Sequence, residues 1–122
     1  MGNVITWFEI FVTDLDRATR FYQTMLAVDL RREAFNGTTP MAIFPYGQEK
    51  VGGALVLDPK RRASEQGTLV YLSVNGKLDA TIDRVAAAGG AVVLPKTDIG
   101  MPGFIATVRD SEGNLVGLHS ER

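Results

Sequence analysis

Residues 5–26 read ITWFEIFVTDLDRATRFYQTML, and the fold is decided there. Ile5–Thr13 is crowded with β-branched and aromatic side chains, with Trp7, Glu9 and Phe11 on one face and Phe8, Ile10 and Val12 on the other. That alternation is the mark of a strand. Asp14 follows, where a short carboxylate accepts from the unpaired N–H groups that open a helix. From Leu15 the period changes: Leu15, Ala18, Phe21, Tyr22 and Met25 form an apolar stripe at helical spacing over residues 15–26.

Working outward, Val28–Phe35 and Met41–Phe44 read as strands joined around Asn36-Gly37, a favoured tight-turn pair, and Val51–Leu57 as a fourth strand. Asp58–Gly67 (DPKRRASEQG) reads as a solvated connector. The pattern then restarts, with a strand at Gly67–Val74, a helix at Lys77–Ala88 stopped by Gly89-Gly90, and strands at Ala91–Pro95, Phe104–Arg109 and Leu115–Ser120. Adding 62 places Trp7 on Leu69 and Ala18 on Ala80, and past the middle loops adding 64 places Gly53 on Gly117. The expected class is therefore α+β: one domain over 1–122, built from two βαβββ modules at about 4–58 and 67–121. Neither half buries enough surface alone at this size, so the two must share a core.

Composition narrows the chemistry. Among 122 residues, 45% are hydrophobic and 22% charged, the formal net charge is −1, and no stretch approaches the roughly 20 apolar residues of a membrane span. Near-neutral charge gives no nucleic-acid footprint. No secretion signal opens the chain, so a cytoplasmic location is expected. The absence of cysteine removes disulfides and thiolate chemistry, and only one histidine, His119, is present.

Four segments in order, FEIFVTDLDRATRFY (Phe8–Tyr22), GTLVYLSV (Gly67–Val74), AAAGGAVVLP (Ala86–Pro95) and DSEGNLVGLH (Asp110–His119), resemble the vicinal oxygen chelate superfamily of glyoxalases, bleomycin-resistance proteins and extradiol dioxygenases. The resemblance is greatest to small bacterial glyoxalase-like proteins. It implies curved mixed sheets around a ligand cleft, usually in a homodimer. Metal-dependent members hold one divalent ion with four side chains, and by the repeat register those positions fall on Trp7, Gly53, Leu69 and Gly117. None carries a donor. Two residues further along each strand lie Glu9, Leu55, Tyr71 and His119, which offer one carboxylate and one imidazole.

The candidate site residues follow from this. Glu9 shares its face with Trp7 and Phe11, so burial among rings would suit it to general-base work or to binding a ligand donor; the alternative is a structural carboxylate. His119 is a candidate proton shuttle or ligand contact, or else a partly exposed terminal histidine. Tyr71 suits donation to a ligand carbonyl, or is a core tyrosine. Trp7 suits stacking on a planar ligand, or fills the space of a lost metal. Gly53 and Gly117 either keep the cleft open or let strands approach closely. Thr97–Phe104 (TDIGMPGF), carrying Met101 and Phe104, is either an apolar lid or an ordinary loop.

The leading expectation is a small-molecule-binding protein with no cofactor and without the usual metal site, taking a partly apolar or planar ligand. Its partners would be that ligand and a second copy of the chain, with no nucleic acid and no membrane. One alternative is a metal-independent acid–base enzyme of lyase, isomerase or hydrolase type, using Glu9 with His119. Another is a divalent-metal enzyme in which Glu9 and His119 are completed by waters or a partner subunit. A fourth reading is a degenerate domain whose role is association.

Overall fold

The computed structural model describes residues 3–47, 51–101 and 103–122. The elements run β1 (Trp7–Phe11), α1 (Leu15–Leu26), β2 (Arg31–Phe35), β3 (Thr39–Ile43) and β4 (Gly52–Val56). They repeat as β5 (Tyr71–Ser73), α2 (Leu78–Ala88), β6 (Ala91–Asp98), β7 (Phe104–Arg109) and β8 (Leu115–Ser120). One sheet has the order β1-β4-β3-β2 and the other β5-β8-β7-β6, with the β1–β4 and β5–β8 pairs parallel and the rest antiparallel. These are two mixed sheets with one helix each, an α+β architecture of two βαβββ units. No described helix is long and apolar enough to cross a membrane.

Local chemistry explains the limits of the elements. α1 begins at Leu15 because the Asp14 side chain accepts from the Arg17 N–H at 3.0 Å. β5 keeps only three residues of the stretch Gly67–Val74 because it is an edge strand that pairs with β8 alone. β6 runs past Pro95 to Asp98, three residues beyond the expected end. An edge strand tolerates a residue without an N–H, and the register against β7 shifts twice along it.

The helix-bearing faces of the two sheets bury one continuous core. From the first unit come Ile10, Val12, Phe21, Tyr22, Met25 and Leu55, and from the second Leu72, Val85, Val108, Val116 and Leu118. Arg84 Nε donates to the Met25 carbonyl at 2.9 Å, tying α2 to the end of α1. The turn between β7 and β8 grips the start of α1. Glu112 Oε1 accepts from the Thr13 and Asp14 N–H groups at 2.9 and 2.8 Å, and its Oε2 accepts from Arg17 Nε at 2.6 Å. Beneath it the buried Tyr22 hydroxyl donates to Asp110 Oδ2 at 2.6 Å.

One expected register is corrected. Phe8 pairs with Gly53 and Glu9 with Ala54, while Tyr71 pairs with Gly117. The offset between β4 and β8 is therefore 63, so Gly117 corresponds to Ala54. Gly53 lies on the helix side beneath Phe8, on the opposite face from Trp7. A glycine pair has no side chain to reveal its face, which is why the slip of one residue went unmarked.

Candidate functional site

β1 presents Trp7, Glu9 and Phe11 together on the face away from the helices, as their alternation requires. The Trp7 ring lies over Gly52, where a Cβ would meet it at 2.9 Å, and Tyr46 packs edge-on at 5.9 Å. Trp7 Nε1 donates to Glu9 Oε2 at 3.2 Å. Trp7 keeps 38% of its surface exposed. Glu9 is exposed in the chain and not enclosed by rings, which corrects the expected burial. Phe11 joins Met41, Ile43, Ala54 and Val56 in a small second apolar cluster, and the Arg61 guanidinium stands 5.4 Å from its ring centroid.

The second sheet repeats the motif. Tyr71 lies across Gly117, where any Cβ would overlap its ring, and the ring is 45% exposed. Phe8 covers Gly53 in the same way on the helix side. Of the two readings of Gly53 and Gly117, close approach fits: each accommodates a ring of its own chain, and the space above it is filled. His119 is half-buried on β8, opposite Ser73 and Ile105. The neighbouring Ser120 is buried on the other face, where its hydroxyl accepts from the Gly76 N–H at 2.8 Å.

The candidates therefore form two groups on two sheets: Trp7, Glu9 and Phe11 on the first, and Tyr71, Gly117 and His119 on the second. Met101 and Phe104 stand apart from both. The segment read as either an apolar lid or an ordinary loop is tied by hydrogen bonds, with Ile99 N–H donating to the Gly103 carbonyl at 2.9 Å and Gly100 N–H to Asp98 Oδ1 at 2.7 Å. Met101 projects from it, 95% exposed. Phe104 sits at its base with Lys96 Nζ 4.8 Å from the ring centroid.

Three cavities surround Phe8 where β1 faces the second unit. One of about 460 Å³ is lined by Gly53, Phe44, Val74, Lys77 and Thr81. One of about 680 Å³ is lined by Ile5, Val51, Leu69 and Tyr71. The third, about 380 Å³, holds Glu9 and Phe11 and adds Arg62, Ser64, Gln66 and Thr68 from the connector. Sequence reasoning passed over Arg62, Ser64 and Gln66 as a solvated connector and took Thr68 as part of a strand. Their signal was there: every second residue from 62 to 68 is polar and able to hydrogen-bond, the period of an extended segment with one working face.

Electrostatic perturbation gathers at the turn that grips α1, away from these cavities. Burial pushes the Glu112 carboxyl up, but the Arg17 guanidinium, the Asp14 and Thr13 N–H groups and the Ser111 hydroxyl outweigh it and hold the group at about 2. Glu112 raises Arg17 in return. Burial, then the charge of Asp110, drives the Tyr22 hydroxyl well above its ordinary value. This is the chemistry of a structural latch.

The corrected register puts Trp7, Ala54, Leu69 and Gly117 at the positions where the resemblance would place metal ligands, and none of these side chains is a donor. Among the described residues no three His, Cys, Asp or Glu side chains are grouped to hold an ion.

Known proteins agree with this architecture. Proteins of Mycobacterium bovis and Mycobacterium tuberculosis named "Putative glyoxylase CFP32" are 25% identical over 116 residues, covering 95% of this chain and 43% of theirs, so the chain spans less than half the length of these curated relatives. The hypothetical protein SA1046 from S. aureus superposes with a TM-score of 0.72 at 22% identity, covering 97% of this chain and 94% of that one. A glyoxalase/bleomycin resistance protein from Albidiferax ferrireducens also reaches 0.72, at 15% identity over 97% and 98% of the two chains. A family model matches residues 4–118, and the chain belongs to the Glyoxalase/Bleomycin resistance protein/Dioxygenase superfamily.

Proposed function

We propose that this chain is a glyoxalase-like small-molecule-binding protein that works without the family's usual metal, taking a partly apolar or planar ligand against the Trp7–Glu9–Phe11 face. One observation carries the reading. A partly exposed indole, fixed by Glu9 and Tyr46, stands where the fold would carry a metal ligand. An indole, two aliphatic side chains and a glycine at the four equivalent positions do not fit a divalent ion, which needs nitrogen or oxygen donors. A flat ring with exposed surface suits stacking instead.

The ligand face is open in a single chain. Trp7 and Tyr71 lie on different sheets, and the helix-side faces are already spent on the shared core. A second copy of the chain, laid sheet face to sheet face, would close the cleft, which supports a homodimer as the working form.

A second reading, an acid–base enzyme without metal, is favoured by the way the Trp7 N–H fixes one oxygen of Glu9 at a cavity wall. An acid–base group typically contributes about 10² to 10⁴-fold in rate, so Glu9→Gln would abolish most turnover under this reading, whereas the first reading involves no turnover to lose.

The test is a thermal-shift screen of planar and apolar compounds, followed by calorimetry on Trp7→Phe. Stabilisation lost in Trp7→Phe supports the reading. Equal affinity in both proteins removes the role of Trp7.

A further inference from the structure

One dipeptide occurs twice in this chain, as Asn36-Gly37 and Asn75-Gly76, and the fold treats the two copies differently. In an Asn-Gly pair the amide side chain is open to attack by the next backbone nitrogen, because glycine has no Cβ to crowd the approach. Both glycines hold a positive φ, 71° at Gly37 and 76° at Gly76, so the glycine conformation does not separate them. Their surroundings do.

Asn36-Gly37 forms the turn between β2 and β3. The Asn36 amide makes no hydrogen bond among the described residues, and nothing lies within 4 Å of where a Cβ on Gly37 would stand. The Gly37 N–H is held only by the Ala34 carbonyl, at 3.0 Å. Every residue of β2 and of the turn is exposed, and β2 is the edge of its sheet. Opening this turn uncovers no core, so it belongs to the least stable part of the fold.

Asn75-Gly76 follows β5 and is tied to the end of the chain. Asn75 Oδ1 accepts from the Glu121 N–H at 2.7 Å, and the Gly76 N–H donates at 2.8 Å to the hydroxyl of the buried Ser120. The Arg122 guanidinium covers Gly76, 3.3 Å from where its Cβ would stand. The amide that would be attacked and the nitrogen that would attack it are both engaged, and freeing them means pulling Ser120 out of the interior.

We infer that Asn36 is a site of spontaneous covalent modification, deamidating through a cyclic imide to aspartate and isoaspartate, and that the folded chain protects Asn75 from the same reaction. The co-reactant is water. The Gly37 nitrogen attacks Asn36 Cγ: the N–Cγ bond forms, the Cγ–Nδ2 bond breaks, and ammonia leaves with the proton from the Gly37 nitrogen. Water then opens the imide at either carbonyl, leaving aspartate or, with the backbone routed through Cγ, isoaspartate. Either product adds one negative charge to a formal net charge of −1. The isoaspartate also lengthens the turn by one carbon, against the Phe35–Thr39 pairing that closes the β2–β3 hairpin.

The experiment incubates the full chain in heavy-oxygen water at neutral pH, native and in guanidinium chloride, and follows label in tryptic peptides 33–50 and 63–77 by mass spectrometry. Each peptide contains one asparagine, Asn36 or Asn75. In denaturant the two should take up label at similar rates, since both carry the same dipeptide. In the native chain 33–50 should label within about tenfold of its denatured rate, and 63–77 at least about tenfold more slowly than 33–50. Label in 33–50 should vanish in Asn36→Ser. The inference is overturned by a native 33–50 that stays unlabelled while the denatured chain converts, by native labelling of 33–50 no faster than of 63–77, or by label that persists there in Asn36→Ser.

Discussion

The Trp7 indole N–H donates to the Glu9 carboxylate 3.2 Å away, two residues along the same face of β1. This bond makes one unit of two side chains that the strand alternation only places side by side. It restrains the ring and leaves the second carboxylate oxygen outside that bond. Because the ring is partly exposed, Trp7→Phe should change stability by less than about 1 kcal/mol, as for most exposed substitutions. Ligand affinity should fall at least about tenfold. Paired thermal denaturation and calorimetry separate the two effects.

Gly53→Ala and Gly117→Ala test the two ring-over-glycine contacts. A Cβ at Gly53 meets Phe8, which is packed against Phe44 at 5.6 Å and lies against the shared core. Overpacking of this kind should cost about 1–3 kcal/mol in chemical denaturation. A Cβ at Gly117 meets Tyr71, whose exposed ring can swing outward, so the cost should be under about 1 kcal/mol. Equal losses at the two sites would contradict the assignment of Gly53 to the helix side.

Tyr22→Phe removes the hydroxyl that donates to Asp110 in the core. Asp110 keeps the N–H groups of Glu112 and Asn114, so the cost should be about 1.5–3 kcal/mol, the range for a hydrogen bond to a charged group. Equilibrium unfolding in urea measures it.

The Glu112 latch gives stability a sign and a pH window. Its carboxyl lies at about 2 in the folded chain against an ordinary 4.5. A depressed carboxylate contributes stability that is fully present above 4.5 and is lost as pH falls through 4.5 toward 2. A depression of this size is worth about 3 kcal/mol. Glu112→Gln should lose most of that at pH 7 and flatten the acid limb of the stability curve. An unchanged limb would show that Glu112 does not carry it.

How much was legible in the sequence differs between fold and site. The period change at Asp14 and its echo after the connector were enough for two βαβββ units, because apolar spacing is set by the core each element must bury. The face of Gly53 was not legible, since neither glycine of the pair has a side chain to betray it. The Trp7–Glu9–Phe11 face was readable from alternation alone. The wall at Arg62, Ser64 and Gln66 was missed because a charged, Pro- and Gly-containing run has the composition of a linker, and only the Ser64–Asn114–Phe11 hydrogen bonds turn it into a surface. The latch at Glu112 joins residues 95 or more apart in the chain, and no local pattern encodes such a contact.

The central claim is binding without the family's metal. The most direct measurement is elemental analysis of protein purified without chelator, paired with ligand titration followed through Trp7 fluorescence before and after EDTA treatment. The account predicts no stoichiometric divalent metal and the same affinity on both sides of the treatment. A metal bound one per chain, with ligand binding lost on its removal and restored on its return, would contradict it.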